Sequence, residues 1–221
     1  MTDFPAPVTR RTSRGKRLTL RWRGSSFLLS VPLGTDEVLV QAFLSSRQDW
    51  MARLAREAPP PFDGADGDVF SLWGREITVR TASCSRWIFN GETLALPSAA
   101  SAAERLILVN RFLWDQARVK LPDIFSQACR LFGVPPGRLS IRSMSSRWGS
   151  CTPLRRAVRL SVRLVHFPEK MALAVAAHEV AHFFCRGHGA EFRRILESAF
   201  PGGTALERQL NGAARQVRFL C

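Results

Sequence analysis

The sequence predicts an α+β fold, and three observations carry that expectation. Strand-like alternation fills the first hundred residues, helical periodicity fills the later ones, and strand character returns between residues 138 and 165. The chain has 221 residues, 46% of them hydrophobic and 23% charged. That is enough to bury the core of one large domain or two small ones, and too apolar for a disordered chain.

Each element has its own signal. Residues 17–31 (RLTLRWRGSSFLLSV) alternate apolar and polar positions, turn at Gly24 and resume, which reads as a β-hairpin. Residues 36–57 place Val40, Phe43, Leu44, Trp50 and Leu54 near helical spacing and predict one amphipathic helix, ended by Pro59-Pro60-Pro61. The next loop crowds Asp63, Asp66 and Asp68 together. It lacks the alternating acids and late Glu of an EF-hand, so it reads as an acidic surface turn. Residues 69–80 and 86–96 read as strands, with Asn90-Gly91 as a hairpin signal in the second stretch.

A small-residue linker (97–104) leads into helices over 102–118 and 122–132, closed by Gly133 and Pro135-Pro136-Gly137. Strand character follows in LSIRS and, after a loop, in AVRLSVRLV. Pro168 and Glu169 open a helix expected to reach about Arg186, where Gly187 stops it. A last helix spans roughly 189–199, before Pro201-Gly202-Gly203.

Composition narrows the classes. No window approaches 18 consecutive apolar residues, so no membrane span is expected. The N-terminus is rich in Arg, Ser and Thr, as transit peptides are, but it has no apolar leader stretch and runs straight into a strand pattern. A cytoplasmic location is the expectation. Cys84, Cys129, Cys151, Cys185 and Cys221 are odd in number, widely spaced and without a CxxC pair, which points away from a disulfide framework or a thiolate zinc site. A net charge of +14, from 32 basic and 18 acidic residues, favours polyanionic partners, nucleic acid among them.

The chemistry concentrates in His178-Glu179-Val180-Ala181-His182, an H-E-x-x-H on a predicted helix. Positions i and i+4 share a face, so both imidazoles can turn to one ion, expected to be Zn2+ although another divalent metal would also suit. Glu179 is placed to take a proton from a metal-activated water, the catalytic role expected of it. His188, six residues after His182 and flanked by Gly187 and Gly189, is the natural third ligand. The chain has only four histidines and three of them fall within these eleven residues. A chance H-E-x-x-H in a chain this long occurs on the order of once in a few hundred. The fourth, His166, reads as an ordinary hydrogen-bonded or surface histidine. Glu191 and Glu197, on the next helix, are candidates for orienting a ligand. The spacing of His188 equals that of metzincins, but Cys185 stands where their glycine would, and no Met follows for a Met-turn.

Before this helix, residues 124–168 contain eight arginines and no acid. Within them lies Ser145-Ser146-Arg147-Trp148-Gly149-Ser150-Cys151. Hydroxyls and guanidinium forks suit phosphate or carboxylate groups, so Arg142, Ser146, Arg147, Trp148, Ser150 and Arg163 are candidate substrate-binding residues.

SSRWGSC, a strand, HEVAH and then GH-GAEF together resemble the YgjP-like metal-dependent hydrolases, relatives of the SprT-like and WLM zinc peptidase domains. RGKRLTLRW, AFLSSRQDWM and LWGREITVR resemble that family's first half. The resemblance implies a zincin-like metallohydrolase domain over 101–221 behind a β-rich part with one helix over 1–100, the two able to form one integrated domain. It implies zinc held by His178, His182 and His188, and Glu179 as the catalytic acid-base. The chain departs from the family pattern at Ser161, Gly187 and Arg193, none of them a ligand.

Three functions follow as expectations. The first is a metallopeptidase, with a peptide laid along an edge strand over 157–165. The second is a nucleoside-triphosphate pyrophosphatase, an activity assigned on UTP to some members of the resembled family, with arginines clamping the phosphates. The third is a nucleic-acid-associated protein, a reading that salt-sensitive binding would support.

Overall fold

The computed structural model describes residues 6–13, 15–22, 26–57, 62–214, 217 and 219–221. The chain parts into two compact units, Met1–Pro61 and Phe62–Cys221. The sheet of residues 69–97 therefore shares a unit, and a core, with everything after residue 101.

In the first unit, β1 (Val8–Thr12), β2 (Thr19–Trp22) and β3 (Phe27–Pro32) form a sheet in the order β1-β3-β2. The expected hairpin is the antiparallel β2–β3 pair; its turn at Gly24 lies outside the described residues. Strand β1, which alternation did not reveal, pairs parallel with β3. The single helix expected over 36–57 is two helices, α1 (Glu37–Ser45) and α2 (Gln48–Glu57). Asp36 caps α1 through the Val38 N–H. At the break, the Ser46 hydroxyl donates to the Phe43 carbonyl and offers the backbone an alternative to a further helical turn. The proline stop expected at 59–61 also lies outside the described residues. Leu29, Val31 and Val40 form the small core.

The second unit holds the larger core. Its first sheet is β4 (Val69–Leu72), β5 (Arg75–Ala82), β6 (Ile88–Phe89) and β7 (Thr93–Pro97), in the order β4-β5-β7-β6. Trp73 and Gly74 both take positive φ (51° and 80°) in the tight turn joining β4 to β5. Asn90-Gly91 turns β6 into β7, as expected, with the Asn90 side chain accepting from the Glu92 and Thr93 N–H groups. The aspartate turn is built inward on Asp68, which accepts from the N–H groups of Asp63, Gly64 and Ala65.

Helix α3 (Ala102–Leu131) is one unbroken element where two were expected. Pro122 sits exposed on its solvent side, so the carbonyl it leaves unpaired can face water. Ala117, Leu121, Ile124, Phe125 and Ala128 bury the opposite face, and that packing overrides the local break. Ser101 and Glu104 close the start with a capping box.

A second sheet, β8 (Arg138–Arg142), β9 (Gly149–Thr152) and β10 (Ala157–Ser161), runs in the order β8-β10-β9. The expected strand over 157–165 ends at Ser161, whose hydroxyl accepts from the Arg163 N–H and turns the chain into a 3-10 segment over 162–166. β10 is the central strand, so the expected peptide-binding edge at 157–165 is corrected: the edges are β8 and β9. Helices α4 (Glu169–Ala181), α5 (Ala190–Ala199) and α6 (Gly203–Ala213) complete the unit. α4 is buried almost all round and packs on α3, α6, β9 and β10. It ends five residues before the expected stop at Arg186. The fold is α+β.

Candidate metal centre

The last turn of α4 carries His178 and Glu179, and His182 caps its C-terminus. The chain leaves the helix at once, through tight backbone bonds from Phe183 to Val180 and from Phe184 to Ala181. Gly187 and Gly189 do not make this exit: a Cβ at either would meet nothing, and neither has a positive φ. His188 is held instead by α5, where the Arg193 guanidinium donates to the His188 carbonyl at 3.2 Å.

The three imidazoles converge. One ligand atom from each of His178, His182 and His188 lies within 4.8 Å of the others. Two nitrogens bound tetrahedrally to one zinc would lie roughly 3.3 Å apart, and His178 Nε2 and His188 Nε2 are 3.0 Å apart. The second ring nitrogens are also engaged. His182 Nδ1 lies 3.1 Å from the Cys185 carbonyl. His178 Nδ1 makes a close but oblique contact, 2.8 Å, with the Glu207 carboxylate. Both contacts leave Nε2 for an ion, the outer support that metal-binding histidines need. Phe192 packs under all three rings, with centroids 4.7, 4.8 and 5.0 Å away. This donor set fits a divalent ion of the zinc type with an open fourth position.

Glu179 is 7% exposed. Burial pushes its carboxyl up to about 7; the charges of His178 and Arg147 pull it down, and that of Glu207 adds to the rise. Strand β9 lies hard against it. A Cβ on Gly149 would stand 2.5 Å from Glu179 Oε1. Only glycine allows that approach without moving the carboxylate.

His178 and Glu179 open into a cleft of about 540 Å³, whose walls include Ser146, Arg147, Trp148, Arg163 and Phe219. Four of the six substrate-binding candidates are therefore gathered there. Arg142 and Ser150 lie outside it: Arg142 borders a separate hollow beside Trp114, and Ser150 pairs with Arg159 in the sheet. Trp148 is fixed by its Nε1–H, which donates to Asn211 Oδ1 at 2.9 Å, and by an edge contact with Phe167. The Arg163 guanidinium lies over the Phe219 ring.

Sequence reasoning missed α6 and with it Glu207 and Asn211. The acids proposed in their stead do other things. Glu197 accepts from the Gly202 and Thr204 N–H groups and caps α6, and Glu191 is exposed. The signal for α6 was Leu206, Leu210 and Ala213 at helical spacing.

His166 lies apart from the metal centre and is buried. Its Nδ1–H donates to the Ser71 carbonyl at 2.9 Å and its Nε2 accepts from the Leu220 N–H, which fixes one neutral tautomer.

An α+β fold with a helix-borne H-E-x-x-H, a third histidine and a buried glutamate over a cleft defines a metal-dependent hydrolase. The chain belongs to the YgjP-like family, whose metallopeptidase domain matches residues 16–213. No curated protein matches it. Among solved structures it is similar to the metallopeptidase zymogen abylysin of Pyrococcus abyssi, with 20% identity and a TM-score of 0.39 over 43% of this chain and 95% of that one. It is similar also to the metallopeptidase zymogen jannalysin of Methanocaldococcus jannaschii, with 20% identity and a TM-score of 0.38 over 44% of this chain and 91% of that one. Among the described residues, no helix is long and apolar enough to cross a membrane.

Proposed function

We propose that the protein is a zinc peptidase in which His178, His182 and His188 hold the ion and Glu179 is the catalytic residue. The convergence of the three imidazoles beside a buried carboxylate carries this reading. A bound zinc ion supplies Lewis acidity at the scissile carbonyl and lowers the pKa of the attacking water. Glu179 takes the water's proton on its carboxylate and then gives it to the departing amine. Burial raises that carboxyl and a cation held beside it would draw it back down, which keeps it ionised to accept the proton. Strand β9, an edge strand, offers its free backbone groups to an extended peptide. Phe192, buried, closes the floor beneath the three rings.

A nucleotide pyrophosphatase is the second reading, and one observation favours it: Arg147 and Arg163 both line the cleft. The deciding experiment incubates zinc-loaded protein with casein and, separately, with each nucleoside triphosphate, beside Glu179→Gln. Casein cut by the wild type alone upholds the peptidase. Pyrophosphate released by the wild type alone replaces it with the second reading. Equal activity from Glu179→Gln in either assay removes Glu179 from its role.

A further inference from the structure

We propose that the outer face of the β8–β10–β9 sheet binds the phosphate backbone of nucleic acid, independently of base sequence. Alternation divides this sheet sharply. Leu139, Ile141, Cys151, Val158 and Leu160 face the core. Arg138, Ser140 and Arg142 on β8, Arg159 on β10, and Ser150 and Thr152 on β9 face the other way. Register sets Ser140, Arg159 and Ser150 in one row across the three strands, and Arg138 and Thr152 in the next row, on either side of Ala157.

The charge on this face is uncompensated. Three exposed arginines elsewhere meet acids, Arg11 with Glu37, Arg80 with Asp66 and Arg118 with Asp115. Arg138, Arg142 and Arg159 are exposed and, among the described residues, meet none. No acid occurs anywhere from Ile124 to Pro168. Arg159 leans across the sheet to the Thr152 hydroxyl at 3.4 Å, which sets a guanidinium beside hydroxyl donors, the grouping that phosphate oxygens accept from. Arg155, at the tip between β9 and β10, extends the same exposed charge.

The chemistry of the face selects the kind of polyanion. It carries no aromatic ring, so it offers no stacking platform for bases, and contact falls to the backbone. It carries no large apolar side chain either; Leu154, 87% exposed, stands at the hairpin tip. An anionic membrane surface held by insertion would need an apolar belt. The opposite end is closed by the loop before β9, where the Ser161 hydroxyl reaches the Met144 carbonyl, so Arg142 marks the margin of the open area.

Three arginines on three phosphates give a salt slope of about −3 in log Kobs against log salt. The test measures fluorescence anisotropy of a labelled 20-base-pair duplex with the zinc-loaded full chain between 50 and 200 mM NaCl. Arg138→Gln/Arg142→Gln/Arg159→Gln is expected to lower affinity at least tenfold and to flatten the slope by about 3. A matched control, Arg10→Gln/Arg21→Gln/Arg53→Gln, removes equal charge from exposed positions in the first unit and is expected to change the slope by less than 1. The β8 pair alone, Arg138→Gln/Arg142→Gln, should flatten it by about 2, and that result stands even if the triple variant folds poorly. Equal loss in the matched control would overturn the proposal, since binding would then follow net charge. So would an unaltered slope in the β8 pair, or binding to phosphatidylserine vesicles with none to the duplex. The readout is binding, so the peptidase reading can fail while this one holds.

Discussion

Gly149→Ala tests how the cleft aims its carboxylate. The new Cβ would stand 2.5 Å from Glu179 Oε1, 2.8 Å from its Cγ and 2.9 Å from its Cδ. Ordinary contact begins near 3.4 Å, so the carboxylate must retreat by about 0.9 Å. The atoms displaced are the far end of a side chain, and Gly149 has no positive φ, so the fold itself yields at little cost. A displacement of about 1 Å in a reacting group costs on the order of 100-fold in rate, or about 2.7 kcal/mol of barrier. The expected result is kcat down roughly 100-fold on casein, KM and zinc content unchanged, and stability within about 1 kcal/mol of wild type. Activity within threefold of wild type would refute the reasoning. So would loss of zinc, because the three atoms nearest the new Cβ all belong to Glu179 and none to a histidine.

Other perturbations separate the parts of the site. Glu207→Gln leaves His178 without its carboxylate and is expected to weaken zinc binding roughly 10- to 100-fold in a chelator competition; an unchanged affinity would count against an orienting role. Asn211→Ala removes the acceptor of the Trp148 Nε1–H and is expected to lower kcat several-fold with zinc affinity intact, as read by the same two assays. His166 has its pKa lowered to about 4 by burial, from an ordinary 6.5. Its neutral form is the folded one, so stability is whole above pH 6.5 and declines as pH falls toward 4, by up to about 3 kcal/mol. Glu179, raised to about 7, acts with the opposite sign in the same window, so the check is a difference: in denaturant melts of metal-free protein, wild type should lose stability relative to His166→Gln as pH falls from 6.5 toward 4.

Much of the site was legible because its chemistry is local in sequence. The three candidate ligands and the glutamate fall within eleven residues, and neighbours at i and i+4 on a helix need no tertiary knowledge to converge. SRWGSC was picked out by its glycine and arginine, and Gly149 proves to abut Glu179. What escaped was set by tertiary packing. Pro122 reads as a helix break, but its exposed side of α3 tolerates it while the buried side holds the helix together. The apolar run 157–165 reads as one long strand, but the Ser161 hydroxyl ends it early. Gly202-Gly203 reads as a stop, whereas Gly202 at φ 82° and the Glu197 carboxylate begin a new helix there.

That unforeseen helix joins the two halves of the cleft. Glu207 and Asn211 are four residues apart, so they share one face of α6. The first reaches His178 and the second reaches Trp148. Trp148 is bonded in sequence to Gly149, which touches Glu179. One helix face therefore braces a proposed metal ligand directly and the glutamate's neighbour indirectly. The two substitutions proposed on it are expected to differ in outcome for that reason: Glu207 touches His178, the first proposed ligand, and Asn211 holds Trp148, next to the strand that confines Glu179. A variant that displaced α6 as a whole, Leu210→Ala in its buried contact, would lower zinc affinity and kcat together. The separate effects at Glu207 and Asn211 would then be two readings of a single brace.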